Sequence, residues 1–172
     1  MTQGTTHIDG LIGEAYNSVK TFNLIADNIG NNTTQTLKER LLNQVKIIQS
    51  ELDEFKKGIE EDDVKETLDG VDDLVVTAFG AMQMVDESLR AREALLDVCA
   101  NNLTKYVQVT NPNARNIIEV TVEKYKSEGV EIDVHYNKTF GVYVFKDKNG
   151  KIRKPCNYKN VDLSSYVNGL PT

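Results

Sequence analysis

The chain has 172 residues, of which 40% are hydrophobic and 27% charged, with a formal net charge of −6 at pH 7. This length suits one domain, or one domain with a small appendage. Because a polyanion is bound through clustered Lys and Arg, the charge argues against a nucleic-acid polymer or an anionic membrane as partner. No apolar run reaches the roughly 18 residues of a membrane span, and two cysteines form neither a disulfide framework nor a zinc-ligand set. We therefore expect a soluble, intracellular protein of a reducing cytosol.

Two helices are predicted in the first third of the chain. The first runs from residue 10 to 29, where Gly30-Asn31-Asn32 ends the pattern, and the second from about Thr34 to Ile59. Their apolar positions recur at helical spacing: Leu11, Ala15, Val19, Phe22 and Ile25 in the first, and Leu41, Val45, Ile48, Leu52, Phe55 and Ile59 in the second.

Two more helices follow. Asp63 is a suitable N-cap for the third, with Glu66 as its capping-box partner, and the apolar pattern continues to about Val85. The fourth begins near Asp86 or Ser88. Four helices with short joints predict a mainly α protein built on an antiparallel four-helix bundle, covering residues 1–108.

The character of the sequence changes after the fourth helix. A break at Asn111-Pro112-Asn113 precedes a short helix from about Ala114 to Lys126. Val142–Phe145, a turn ending in Asn149-Gly150, and Lys151–Arg153 indicate a hairpin. Residues 109–172 are thus predicted to form a small α+β appendage.

Acidic residues recur at helical spacing in the second and third helices. Glu51 and Glu54 lie three apart, and Glu51 falls about 80° from the apolar stripe, at its border. In the third helix Glu66, Asp69 and Asp73 lie within about 60° of one another. Carboxylates gathered by two antiparallel helices are either spread into water or held by a divalent cation. Spacing alone leaves both possibilities open, and Glu66 has a structural role as a capping residue.

Five segments in series resemble the all-α nucleoside triphosphate pyrophosphohydrolases, a group that includes MazG-like proteins and phosphoribosyl-ATP pyrophosphohydrolase. The resemblance is strongest to the phage and bacterial MazG-like branch and covers most of the chain. The segments are Val19–Asn23, Ile48–Phe55, Leu68–Val76, Asn101–Lys105, and Lys148–Tyr158 with Asp162-Leu163. One departure is Ser50, where the branch commonly has a second, adjacent glutamate.

The resemblance implies a Mg²⁺-dependent hydrolase, with Mn²⁺ as a plausible substitute, that converts a (d)NTP to a (d)NMP and pyrophosphate for nucleotide-pool control. The metal ligands it implies are Glu51, Glu54, Asp69 and Asp73, with Glu66 the less favoured member. Glu51 and Glu54 are also the implied catalytic residues. The implied substrate-binding residues are Asn102, Lys105, Lys151, Lys154 and Tyr158.

The resemblance further implies a homodimer or homotetramer in the bacterial or phage-infected host cytosol. Phage members of the branch include dGTP-directed enzymes. Two other functions stay open. The chain could be a phosphoribosyl-ATP-type pyrophosphohydrolase, or a non-enzymatic helical bundle whose acidic faces serve solubility or partner binding. The hairpin lysines could equally be solubilising surface charge.

Overall fold

The computed structural model describes residues 5–88 and 90–168, and it is mainly helical with a small three-stranded antiparallel sheet. The predicted combination of a helical protein and a small sheet is confirmed at this level. None of the described helices is long and apolar enough to cross a membrane. The elements are α1 Thr5–Ile25, α2 Leu37–Glu60, α3 Val64–Val85, α4 Arg90–Leu103, β1 Val107–Gln108, α5 Ala114–Ser127, β2 Ile132–Asn137, β3 Val142–Asp147 and α6 Ser164–Val167.

The chain divides into two compact units. A helical unit comprises Met1–Ala91 with Tyr166–Thr172, and a sheet unit comprises Arg92–Ser165. The helical unit joins α1 and α2 through their packing on α3. A four-helix bundle is not established by this packing, and the predicted boundary between residues 108 and 109 stays a prediction.

Side-chain caps fix the starts of α2 and α3. The Thr36 hydroxyl accepts from the Glu39 N–H while the Glu39 carboxylate accepts from the Thr36 N–H, which is a complete capping box. The Asp63 carboxylate accepts from the N–H groups of Lys65 and Glu66, as predicted. The predicted capping-box role of Glu66 is wrong, because the Asp63 N–H donates to the carbonyl of Gly58 instead.

Two glycines allow α2 and α3 to approach closely. A Cβ built at Gly70 would lie 2.8 Å from the Cα of Phe55, and one at Gly58 would lie 2.7 Å from the backbone N of Thr67. At both glycines, backbone atoms of the facing helix lie where the first side-chain carbon would be. There is therefore no room for even a methyl group. The α2–α3 register is therefore fixed at two points, one pairing Gly58 with Thr67 and the other Phe55 with Gly70.

Amide side chains are buried together with apolar ones between α1, α2 and α3. The Asn23 amide donates to Gln83 at 3.2 Å, Gln83 donates to the carbonyl of Tyr16, and Gln44 donates to the carbonyl of Thr77. Asn23, Gln44 and Gln83 are all buried. Two of these bonds join α1 to α3, and the third joins α2 to α3. The network therefore fixes the positions of α1 and α2 on α3.

The predicted apolar stripe of α1 is partly wrong. Val19 is buried as expected, but Phe22 is 66% and Ile25 80% exposed, and the buried face instead runs through Tyr16, Val19 and Asn23. The side chain of Leu11 lies outside the described residues. On α2, Val45 is 60% exposed, because the polar Gln44 takes the buried position beside it.

The sheet unit is built on β3, which is the central strand of the order β1-β3-β2. Phe145 is fully buried on the face that packs against α5, in a core with Val107, Ala114 and Ile117. The predicted hairpin is only partly correct. The turn at Gly150 exists, but the segment after it makes a single bridge, Lys146 to Ile152, and the main partner of β3 is β2.

We expect Gly70→Ala to destabilise the protein, because its Cβ would overlap the backbone of Phe55. Overpacking of this kind costs about 1–3 kcal/mol, which outweighs the roughly 1 kcal/mol that alanine gains in a helix. Gly10→Ala is the matched control, since nothing lies within 4 Å of that position in α1. Urea unfolding should show a lower midpoint for Gly70→Ala only. An unchanged midpoint would contradict the close helix contact.

Candidate functional site

The close α2–α3 contact brings together the acids that the sequence singled out. Glu51 and Glu54 lie on α2, and Asp69 and Asp73 lie on α3, one residue before and three residues after Gly70. Glu51 is half-buried and lies within electrostatic range of the other three carboxylates. We call Glu51, Glu54, Asp69 and Asp73 the acidic cluster.

The electrostatics of Glu51 reflect this placement. Burial raises the pKa of Glu51 above its ordinary value of 4.5, and repulsion from Glu54, Asp73 and Asp69 raises it further. All four causes act in the same direction. The folded protein therefore holds Glu51 where its charged form is disfavoured.

No cation of the chain offsets this repulsion among the residues that the structure describes. None of the four cluster side chains makes an ion pair or a side-chain hydrogen bond there, whereas nearby acids do. Asp53 accepts from Gln49 and Lys56, and Glu66 lies 3.4 Å from Lys65. Glu66 does not contribute to the shift of Glu51. The structure thus groups four of the five predicted acids and leaves Glu66 on an exposed, ion-paired position.

The donor set suits a hard divalent cation by its chemistry. Mg²⁺ and Mn²⁺ prefer carboxylate oxygens and keep several waters, so they need few protein ligands. In residues 5–88 and 90–168, no group of three or more His, Cys, Asp and Glu side chains has the geometry to hold an ion. A metal bound here would be attracted by the shared negative field of the carboxylates, because the described residues form no preformed ligand shell.

The predicted substrate-binding residues all belong to the sheet unit. Lys105 donates to the Asn102 side chain at 2.7 Å. Lys154 donates to Asn160 at 3.0 Å, and its Nζ lies 4.6 Å from the centre of the Tyr158 ring. Lys151 is exposed.

Arg153, which neighbours these lysines, is committed to a structural ion pair. Its guanidinium donates two hydrogen bonds to Asp147, at 3.0 and 2.6 Å. The same carboxylate accepts from the backbone N–H groups of Asn149 and Lys151 and so closes the turn. The sequence placed Asp147 in the predicted turn, but the role of its carboxylate in closing that turn was not predicted.

Asn101 anchors the terminal signature segment and was also missed. Its side-chain oxygen accepts from the Tyr158 hydroxyl at 2.6 Å and from the Val161 N–H, and its nitrogen donates to the carbonyl of Lys159. Tyr158 is thereby tied to α4 within the sheet unit. The sequence offered Asn101 and Asn102 side by side, and nothing in it distinguished the anchoring residue from its neighbour.

Comparison of the chain with protein-family models, with curated proteins and with solved structures finds no match. The resemblance to the all-α pyrophosphohydrolases therefore stays a prediction from the motifs.

We expect Glu51→Gln to stabilise the protein at neutral pH in the absence of divalent cations. Because folding raises the pKa of Glu51, the folded state binds the proton of this carboxyl more tightly than the unfolded state does. The free energy of unfolding therefore falls as the pH rises from 4.5 to the folded pKa. Glutamine does not ionise, so the variant does not lose this stability. Thermal melts in a chelator should show a higher Tm for the variant near pH 7 and no difference below about pH 4. Asp72→Asn, an exposed acid outside the cluster, is the control; an equal rise there would contradict the assignment.

Asp147 should show the opposite pH dependence. Although burial alone would raise the pKa of Asp147, hydrogen bonds from Lys151, Arg153 and Asn149 hold it below its ordinary 3.8. Its ionised form therefore stabilises the fold above pH 3.8, and this contribution is lost as pH falls through the lower, folded pKa. We expect Asp147→Asn to lower the Tm at neutral pH and to show less further loss on acidification. Glu123→Gln is an exposed control in the same unit. A variant as stable as the parent at neutral pH would contradict the proposed clamp.

Proposed function

We propose that this chain is a Mg²⁺-dependent nucleoside triphosphate pyrophosphohydrolase that cleaves between the α and β phosphates to give a (d)NMP and pyrophosphate. The observation that carries the proposal is the half-buried Glu51 held against Glu54, Asp69 and Asp73 with no ion pair among the described residues. The order of the motifs along the chain supports the reaction type.

The arrangement is costly unless a cation is used. Like charges within electrostatic range raise the free energy of the folded protein. Glu51 and Asp73 are half-buried while Glu54 and Asp69 are exposed, and glycines at two contact points bring the helices that carry them together. A cation that binds only the folded protein would raise its free energy of unfolding and offset this repulsion.

The residues have distinct proposed roles. Glu51 and Glu54 from α2 and Asp69 and Asp73 from α3 would hold the metal, and Glu51 and Glu54 would also position the attacking water. When bound, Mg²⁺ supplies a Lewis acid that lowers the pKa of that water and neutralises phosphate charge. Glu66 is set aside because Lys65 pairs with it. Asn102, Lys105, Lys151, Lys154 and Tyr158 stay predicted substrate contacts on the strength of the resemblance.

The proposal includes a four-helix bundle of the pyrophosphohydrolase type and a homodimer or homotetramer. The helices α1, α2 and α3 would supply three of the bundle helices. Support for the oligomer comes from large apolar side chains that stay exposed on all three, namely Phe22, Ile25, Val45, Leu68 and Val75. Exposed apolar surface of this extent is typical of protein interfaces.

The preferred substrate class is a (d)NTP, and dGTP is one candidate. Phosphoribosyl-ATP is the alternative within the same chemistry, and a non-enzymatic interaction module is the alternative outside it. No contact in the described residues favours either over the main proposal.

We expect pyrophosphate release from at least one nucleotide of a panel of dNTPs, NTPs and phosphoribosyl-ATP incubated with Mg²⁺. Products should be separated by ion-exchange chromatography. The Glu54→Gln, Asp73→Asn double variant should lose activity by two orders of magnitude or more, about the effect of removing groups that position water and metal. Asp72→Asn is the matched control and should keep activity.

Failure has two distinguishable forms. Absence of pyrophosphate with every nucleotide, together with no rise in Tm on adding Mg²⁺ or Mn²⁺, would favour the non-enzymatic alternative. Full activity in the double variant would reject the site while leaving the reaction in place.

A further inference from the structure

The outer edge of β2 carries unpaired main-chain groups. β2 is an edge strand of the three-stranded sheet, and it pairs only with β3 among the described residues. In an antiparallel ladder the N–H and C=O of one residue point to the same side, and consecutive residues alternate. The direction of each β2 residue can therefore be read from the bonds that β3 makes on its other side.

Odd-numbered residues of β3 point away from β2. The carbonyl of Phe145 accepts from Arg153, and the N–H of Asp147 donates to the carbonyl of Lys151. Both bonds lie on the side of β3 where β1 also pairs. Val142, Val144 and Lys146 therefore point towards β2, where they pair with Asn137, His135 and Asp133.

The remaining residues of β2 must point outwards. Ile132, Val134 and Tyr136 present their N–H and C=O groups at the free edge. The edge lacks the usual protections, since β2 contains no Pro and no Lys and makes a regular six-residue ladder with β3. It is thus a template for a further strand.

The sequence of β2 is complementary to itself when reversed about Val134. An antiparallel copy centred there would pair Val134 with its own equivalent, and Ile132 with Tyr136 of the second copy. Each of these three outward positions would exchange both of its main-chain bonds, which gives six bonds in all. The same register is the one that a two-fold symmetric dimer requires.

The side chains agree with this register. Asp133 would lie opposite His135 of the second copy, in the closely spaced, non-hydrogen-bonded pairs, twice by symmetry. An acid facing an imidazole attracts the protonated ring and accepts a hydrogen bond from the neutral one. On the face towards α5, the aliphatic Ile132 would meet the aromatic Tyr136, which is 43% exposed.

We propose that the free edge of β2 pairs antiparallel with the same edge of a second copy of this chain, joining two three-stranded sheets into one of six strands. The occupant is a second copy because hydrogen-bond pattern, charge and apolar pairing are all satisfied by β2 itself. This interface lies in the sheet unit and does not depend on the pyrophosphohydrolase assignment.

Amide hydrogen exchange of the full-length chain, followed by NMR, tests the proposal residue by residue. The amides of Ile132, Val134 and Tyr136 should exchange more slowly as protein concentration rises, by about tenfold for a roughly hundredfold increase in a dimer controlled by mass action. The amides of Asp133, His135 and Asn137 bond to β3 and should stay protected throughout. Association through the helical unit alone would leave the first set exchanging fast, which would overturn the proposal. So would full protection of that set at the lowest concentration, in monomeric protein.

Substitutions separate pairing from folding. Val134→Pro removes an outward N–H but no bond to β3, so it should abolish the concentration dependence and leave the other amides protected. Asp133→His alone would place two histidines opposite each other, and His135→Asp alone would place two aspartates opposite each other, so each should weaken pairing. The double variant that exchanges the two residues should restore it. Persistence of the concentration dependence in Val134→Pro, or no rescue in the double exchange, would reject the register.

Discussion

The contact between α2 and α3 at Gly58 and Gly70 is the constraint on which the helical unit depends. A side chain at either position would meet the backbone of the facing helix, so the register and the separation are both fixed by glycine. With that register, Glu51 lies within electrostatic range of Glu54, Asp69 and Asp73. The electrostatic interaction within the acidic cluster is therefore a consequence of backbone packing.

The polar interior of this unit extends the same constraint. Buried amides hold α1 and α2 against α3 through directional bonds, which are satisfied in one arrangement only. An apolar interface of equal area would tolerate sliding or rotation of the helices. Directional bonding suits a unit whose charged side chains must stay in register, because rotation of α2 by one residue would separate Glu51 from the acids on α3.

Sequence reasoning predicted the parts that local chemistry decides. The Asp63 cap and the end of α3 near Val85 followed from spacing and capping residues. The first helix was predicted over residues 10–29 and is observed over Thr5–Ile25. The buried face of α1 did not follow from spacing, because Asn23 is buried through partners sixty residues away and propensity carries no such information. The strand β2 was not predicted, although Ile132, Val134 and Tyr136 alternate with polar residues. Asn149-Gly150 is the stronger hairpin signal, so the partner of β3 was predicted after that turn and not before β3.

Asp147 and Glu51 are partly or fully buried carboxylates whose pKa values shift in opposite directions. Asp147 is surrounded by backbone N–H groups and Arg153, which hold its pKa below the ordinary value despite burial. Glu51 is surrounded by other carboxylates, and its pKa is raised. Asp147, which closes a turn, accepts several hydrogen bonds. The four acids of the cluster accept none through their side chains among the described residues. Lys56, Lys57 and Lys65 pair with Asp53, Glu61 and Glu66, so none of these three lysines offsets the negative charge around Glu51.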